Sequence, residues 1–396
     1  MAEPARADTD RRVVILVADG VGCGGAPDAA AYGDAGADTL GNLARKRGGL
    51  ALPNLGALGL GHLTNIAGVP PATAPQGAWG AMTEQSVGKD TITGHWEMAG
   101  VITTAPLATF PDGFPPAITE PLARAAGRGL LGNTTASGTA IIEQLGPEHL
   151  KTGALILYTS ADSVLQIAAH EEVVPLPELY RICAVARDIA DREHIGRVIA
   201  RPFVGTPVAF RRTYNRRDYS LVPPSPTLCD VLTAAGTPVV GVGKISDIFA
   251  GRGVGESIHS EGNDDGMRLT LERFDRLTGG LLFTNLVDFD MLYGHRNDAA
   301  GFAGALERLD AWLATLRAHL GPDDVVFVTA DHGNDPTKHG TDHTRERVPL
   351  LAFGPRIKPV NLGTRASFAD LGQTVAEALS APPLAHGTSF WKALHA

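Results

Sequence analysis

A net charge of about −9 on 396 residues, with a pI near 5.8, excludes a surface built to neutralise a nucleic-acid backbone, so any anion this chain binds must be met by local groups. The 44% apolar content is ample for conventional cores, and 47 glycines with 27 prolines imply many tight turns without the low complexity of disorder. Three scattered cysteines, Cys23, Cys183 and Cys229, exclude a disulfide framework and a CxxC metal site, and point to a reducing compartment.

In chain order, residues 1–12 are polar and lack the apolar core of a signal peptide, and no apolar run reaches transmembrane length. A cytoplasmic protein with no membrane partner is expected. Residues 13–17 form a β-branched run that stops at Asp19, the pattern of a strand buried on both faces of a parallel sheet. Next comes Gly88-Lys89-Asp90-Thr91-Ile92-Thr93-Gly94-His95-Trp96-Glu97, which sets two hydroxyls beside a lysine. A hydroxyl becomes a nucleophile at neutral pH only when a metal or base lowers its pKa, and spacing alone does not choose Thr91 over Thr93.

Proline clusters at residues 106–116 and 223–226 mark crossings between domains, because proline removes backbone donors and favours extended linkers. Between them lie a strand expected over 154–158, a helix from Leu176 to about Ala190 and an apolar run around Val198 and Ile199. The expected architecture is an α/β core split in sequence, residues 1–105 and 225–396, with a smaller α+β cap inserted at 106–224. Nine arginines and no lysine fall between 181 and 217. Arg181, Arg187 and Arg192 alternate with acids and read as a solvated helix face. Arg197 and Arg201 flank an apolar strand and are better phosphate candidates, since the guanidinium fork matches phosphate oxygens.

Beyond the second crossing, residues 237–242 read as a strand leading to Lys244, a further substrate candidate. A third apolar run, 281–287, ends at Asp288 and Asp290 with His295 behind. Phe302, Leu306, Leu309, Leu313, Leu316 and Leu320 then recur at spacings of four and three, one face of a long helix. The run 325–330 ends at Asp331-His332-Gly333, with His343 eleven positions after His332. Strand, helix, strand is a parallel crossover, and ligands of such sheets gather outside the carboxyl ends of the strands.

Carboxylates and imidazoles collected at that edge would be costly without a cation among them. Asp19, Asp290, His295, Asp331, His332 and His343 are more oxygen and nitrogen ligands than one substrate-binding ion takes, so two divalent ions are expected. With no thiolate in the set, manganese and zinc fit, and magnesium fits less well. Such a site stays net positive and suits a phosphoryl group.

Gly88 to Glu97, Asn285 to His295 and Thr329 to Glu346 together resemble the phosphopentomutase family of the alkaline phosphatase superfamily. Pro27-Asp28-Ala29, Tyr32-Gly33-Asp34, Asp38-Thr39-Leu40-Gly41, Tyr158-Thr159-Ser160-Ala161-Asp162-Ser163-Val164 and Val198-Ile199-Ala200-Arg201-Pro202-Phe203 extend the likeness over nearly the whole chain. It departs from the family pattern at Gly20, where serine is usual, and at Gly25. The resemblance implies an alkaline-phosphatase-like core, with a central mostly parallel sheet flanked by helices. It also implies a manganese-dependent mutase that interconverts ribose 1-phosphate and ribose 5-phosphate, and their deoxy equivalents. Thr91 would carry the phosphoryl group, Asp290, His295 and His343 would hold one ion, and Asp19, Asp331 and His332 the other. Ser160, Asp162, Val164, Arg197, Ile199, Arg201 and Lys244 would bind substrate, and a sugar bisphosphate would load Thr91. A cofactor-independent phosphoglycerate mutase, a metal-dependent phosphomonoesterase and a metal-stabilised binding protein are the alternatives.

Overall fold

The computed structural model describes residues 10–160 and 163–395, so Asp162 lies outside the described residues. Along the chain, β1 (Arg12–Ala18), α1 (Thr39–Arg47), α2 (Pro53–Leu58), β2 (Ala78–Met82) and α3 (Thr91–Met98) come first. They are followed by α4 (Pro116–Ala126), β3 (Leu130–Thr135), α5 (Gly138–Thr152), β4 (Leu155–Thr159), β5 (Val164–His170), α6 (Leu176–Arg192), β6 (Arg197–Val204), β7 (Arg211–Arg212) and β8 (Arg217–Ser220). The chain continues through α7 (Leu228–Ala234), β9 (Val239–Val242), α8 (Ile245–Ile248), β10 (Glu256–Ile258), α9 (Asn263–Arg276), β11 (Gly280–Leu286) and α10 (Ala299–Ala318). It ends with β12 (Val325–Thr329), β13 (Val348–Phe353), β14 (Asn361–Arg365), α11 (Ala369–Ala378) and α12 (Trp391–His395). Two compact units result, one from the segments before Pro106 and after Val222, the other spanning Pro106–Val222.

Among the described residues the first unit holds a sheet of order β10-β9-β11-β1-β12-β13-β2-β14. Only β13 runs antiparallel to its neighbours, so the sheet is mostly parallel. Parallel strands are connected by crossovers that cover the sheet faces, which is why β11 and β12 are buried throughout and β1 from Val13 onward. The crossover between β11 and β12 is α10, which buries Phe302, Leu306, Leu309, Leu313 and Leu316. Leu320, the last member of the apolar stripe, falls beyond the helix end. Register then does the positioning. Ala18 pairs with Leu286 and Val17 with Thr329, so the segments that leave β11, β1 and β12 emerge side by side at one edge.

The second unit has its own sheet, β3-β4-β5-β6-β7 with β8 paired to β6. One face packs Leu155, Leu157, Leu165, Ile167, Val198 and Ala200 against α4 and α6; the other packs Ile156, Tyr158, Ala168 and Phe203 against α5. Arg187 departs from the solvated face expected of α6. It is buried, with Nε donating to Asp191 at 2.8 Å and the Nη atoms donating to the carbonyls of Tyr219 and Ile195 at 3.2 and 2.6 Å. Ile195 lies just before β6 and Tyr219 lies within β8, so the guanidinium fork ties α6 to both of these paired strands.

Candidate metal centre

Three adjacent strand ends deliver the acidic and imidazole groups. Asp19 follows β1, Asp331 and His332 follow β12, and Asp290 lies in a π-helical turn, Phe289–Tyr293, after β11. A further tight turn, Gly294–Arg296, brings back His295. The loop that leaves His332 folds over itself through paired backbone hydrogen bonds between Gly333 and Thr344, 3.1 and 2.7 Å, and this returns His343 to the cluster. Ligand atoms of Asp19, Asp331 and His332 lie within 4.8 Å of one another, and so do those of Asp290, His332 and His343. His332 Nε2 is 3.3 Å from Asp19 Oδ1 and 3.4 Å from Asp331 Oδ2. His343 Nε2 is 3.1 Å from Asp290 Oδ1 and 3.2 Å from His295 Nε2, which in turn is 3.2 Å from Asp290 Oδ2. All six sequence candidates are therefore together. His332, which the family resemblance gives to one ion alone, also stands beside Asp290 and His343, its ring 4.0 Å from that of His343.

The charges in this cluster compete. Burial pushes the Asp19 carboxyl up, and neighbouring Asp331 pushes it further. Asp331, against its own burial, is drawn down to about 2 by His332 and His95. Asp290, also opposed by burial, is held well below the usual carboxylate range by His343 and His295. His332 is raised well above the usual imidazole range, since Asp331 and Asp19 outweigh the burial that would lower it. The proton on His332 is thus part of the neutralising charge that divalent ions would replace. Asp19 Oδ1 and Asp331 Oδ2 are buried without a hydrogen-bond partner, an arrangement that costs free energy unless a cation takes the lone pairs. Oxygen and imidazole donors without thiolate fit manganese or zinc.

Groups that sequence reasoning passed over orient these carboxylates. Asn285 Nδ2 donates to Asp19 Oδ2 at 2.8 Å, Asn334 Nδ2 to Asp290 Oδ1 at 2.7 Å, and the Gly20 amide to Asp331 Oδ1 at 3.0 Å. His95 Nδ1 lies 3.2 Å from Asp331 Oδ2. Such partners fix the direction of a ligand's lone pairs. Asn285 carried a signal, a polar residue inside an apolar strand, and His95 stands one helical turn after Thr91. Gly20 has φ +78°, and a β-carbon there would sit 2.9 Å from Asn334 Cβ, so glycine fits where serine is usual. His339 is exposed, and burial pushes the Cys23 thiol well up.

The structure separates the two threonines. Asp90 caps α3, its Oδ1 accepting from the amides of Ile92 and Thr93, and Thr93 Oγ1 donates back to Asp90 Oδ2 at 3.0 Å. Thr93 is fully buried in this capping box. Thr91 opens the helix and puts Oγ1 3.2 Å from His332 Nε2. Gly94 permits this approach, because a β-carbon there would lie 2.1 Å from the Asp331 carbonyl oxygen.

Arg345 holds the segment that leads into α3. Its buried guanidinium donates to Glu84 Oε2, Ser86 O and Gly88 O at 2.6–2.7 Å, to Glu84 O at 2.9 Å and to Asp28 at 3.2 Å. Arg345→Met is expected to cost about 3–5 kcal/mol, measured by urea unfolding, since it strands Glu84 without its cation and frees three carbonyls. An unfolding midpoint equal to wild type would show that the pair is dispensable.

Of the substrate candidates, Arg197, Ile199 and Arg201 alternate along β6 and so share a sheet face, with Arg201 Nε donating to Gln166 Oε1 at 2.9 Å. Ser160 follows β4 and Val164 opens β5. Lys244 belongs to the first unit, after β9 and at the start of α8.

The sequence pattern of the Metalloenzyme superfamily matches residues 11–383. The protein named phosphopentomutase in Anaeromyxobacter dehalogenans (strain 2CP-1) is 60% identical over 369 residues, covering 93% of this chain and 95% of that protein. The phosphopentomutase of Symbiobacterium thermophilum is 58% identical over 384 residues, with 96% and 98% covered, and that of Clostridium novyi is 53% identical over 383 residues, with 96% and 98% covered.

Proposed function

Because the chain belongs to the phosphopentomutase family, within the alkaline-phosphatase-like Metalloenzyme superfamily, we propose that it interconverts ribose 1-phosphate and ribose 5-phosphate, and the deoxyribose pair, through a phosphothreonine. This would link nucleoside breakdown to pentose phosphate metabolism in the cytoplasm. The observation that carries the reading is the placement of Thr91 Oγ1 at 3.2 Å from His332, the residue common to both ligand groups. Asp19, Asp331 and His332, and Asp290, His295 and His343, are the residues we assign to two Mn2+ ions, with His332 positioned beside both sets. When bound, the ions supply positive charge for the transferring phosphoryl group and lower the pKa of the threonine oxygen.

The chain's own residues account for the rest. Asp90 and Thr93 fix the first turn of α3, so Thr91 presents one oxygen to the incoming phosphorus. In the first half-reaction, the bond from Thr91 Oγ1 to phosphorus breaks and a bond to a sugar hydroxyl oxygen forms, giving a pentose bisphosphate and leaving the hydroxyl proton on Thr91. The reverse step at the other phosphate restores phosphothreonine and releases the isomer. A sugar bisphosphate loads Thr91 at the start. The basic face of β6, with Ser160 and Val164, is our assignment for the sugar and the phosphate that does not react, with Asp162 and Lys244 as further ligands. No helix among the described residues is long and apolar enough to cross a membrane.

With manganese, ribose 1-phosphate and a trace of sugar bisphosphate, ribose 5-phosphate should accumulate without free phosphate. Free phosphate alone would make the chain a phosphomonoesterase. If neither product formed, both enzyme readings would fall.

A further inference from the structure

Glu346 stands three positions after His343 and is 1% exposed, and no ion pair reaches it among the described residues. A carboxylate buried without a cation is costly unless hydrogen bonds fill its lone pairs. Here Oε2 accepts from the amides of Thr39 and Gly24 at 2.8 and 3.3 Å, and Oε1 from the hydroxyls of Thr39 and Thr344 at 2.7 and 2.6 Å. Two glycines make room for it. A β-carbon on Gly22 would sit 2.2 Å from Oε2, and one on Gly333 would sit 2.4 Å from Oε1. Gly22 lies on the segment that leaves Asp19, and Gly333 directly follows His332. One carboxylate therefore fills the gap between the loops after β1 and β12, and it meets the start of α1. Burial pushes this carboxyl up to about 7, against the bonds from Thr344 and Thr39.

The direction of these bonds carries through to the metal candidates. An ionised carboxylate only accepts, so both hydroxyls give their hydrogens to Glu346 and keep lone pairs for other donors. Thr39 Oγ1 accepts from the Asn334 amide at 3.2 Å, and Asn334 Nδ2 donates to Asp290 Oδ1 at 2.7 Å. Thr344 Oγ1 accepts from the Asp335 amide at 3.3 Å, and the Thr344 backbone pairs with Gly333 in the turn that returns His343. Both routes end on the set Asp290, His295 and His343, whereas Asp19 and Asp331 are held by Asn285 and Gly20. We infer that Glu346 is a positioning residue for that set, acting through Thr39 and Thr344 to aim Asp290 and His343 at a divalent ion. A glutamine there would break the pattern, because its NH2 donates and one pair of donors loses its acceptor. The inference rests on the two-ion reading of the site.

The full chain, stripped of divalent ions by EDTA, is titrated with manganese at about pH 8, where the carboxyl is ionised, and free ion is read by electron paramagnetic resonance. Two ions per chain are expected for wild type. Glu346→Gln should bind one of them as wild type does and the other about 10–100-fold more weakly, the loss expected for a group that orients a ligand. Thr39→Val should show the same split, and Thr39→Ser, which keeps the hydroxyl, should restore the second ion. Thr270→Val removes a buried hydroxyl that meets Gly266 and Thr284, so it should lower stability without separating the two ions. Combined with His295→Ala, Glu346→Gln should still retain one ion, because both changes fall on the same set. Equal affinities in Glu346→Gln and wild type, a uniform weakening of both ions, or loss of both in the double variant overturns the inference. A wild type that takes up fewer than two ions overturns the two-ion reading and the role of Glu346 with it. If the split appears but the chain does not isomerise, the mutase reading falls and the positioning role stands.

Discussion

Thr91→Ala is expected to abolish isomerisation, by a factor on the order of 10⁴ to 10⁶, while metal content stays near wild type. The size follows from chemistry. Without the hydroxyl at the helix start, the group assigned to carry the phosphoryl from one sugar oxygen to the other is gone, the carboxylates and imidazoles of the cluster are assigned to the ions instead, and general electrostatic stabilisation by itself does not isomerise anything. Metal content should hold because Thr91 touches the cluster through a single contact, Oγ1 to His332 Nε2 at 3.2 Å, and the carboxylates are oriented by Asn285, Asn334 and Gly20 instead. Thr93→Ala is the matched comparison. It removes the reciprocal bond of the capping box and should cost about 1 kcal/mol of stability while leaving phosphorylation in place. Peptide mapping of protein treated with sugar bisphosphate should find one phosphoryl group, on Thr91. Phosphate on Thr93, or isomerisation surviving in Thr91→Ala, would overturn the assignment.

What could be read from sequence and what could not divides along range. Runs such as residues 13–17, 281–287 and 325–330 announce buried strands because burial on both faces demands continuous apolar residues, and each corresponds to a strand that ends within a residue or two of its expected limits. The six metal candidates were legible for the same reason, as charged residues placed where such a run stops. Thr91 and Thr93 were not separable, because the choice depends on which hydroxyl the Asp90 cap consumes. Arg345 and Glu346 were also invisible. Their partners, Asp28 and Glu84 for the first and Thr39 for the second, lie hundreds of positions away and meet them only after the sheet has formed. Arg187 misled because its spacing among acids on a helix matches a solvated face, whereas its guanidinium is drawn in by the carbonyls of Ile195 and Tyr219.

The sharing of His332 predicts an asymmetry among the imidazoles. His332→Ala should lower manganese content to below one ion per chain, whereas His295→Ala should retain at least one. The reason lies in the contacts. His332 Nε2 reaches Asp19 and Asp331 on one side and groups with Asp290 and His343 on the other, so its loss removes a donor from both sets. His295 meets the second set through Asp290 and His343, and its side chain is 29% exposed, so water can take its place. Loss of a group that merely supports a ligand costs about 10–100-fold in metal affinity, and removal of a donor placed beside both sets should exceed that for each. Burial sharpens the effect. Without His332, Asp19 and Asp331 lose the imidazole that holds both of them down in the metal-free protein, and a carboxylate pair buried without it is costly. Elemental analysis after dialysis measures the stoichiometry. Thermal unfolding across a manganese titration gives an independent readout, because an ion that binds only the folded chain raises Tm with concentration. Wild type should show that rise at low manganese, His295→Ala a smaller one, and His332→Ala almost none. If His332→Ala instead kept one tightly bound ion, His332 would serve a single metal, as the family resemblance alone implies.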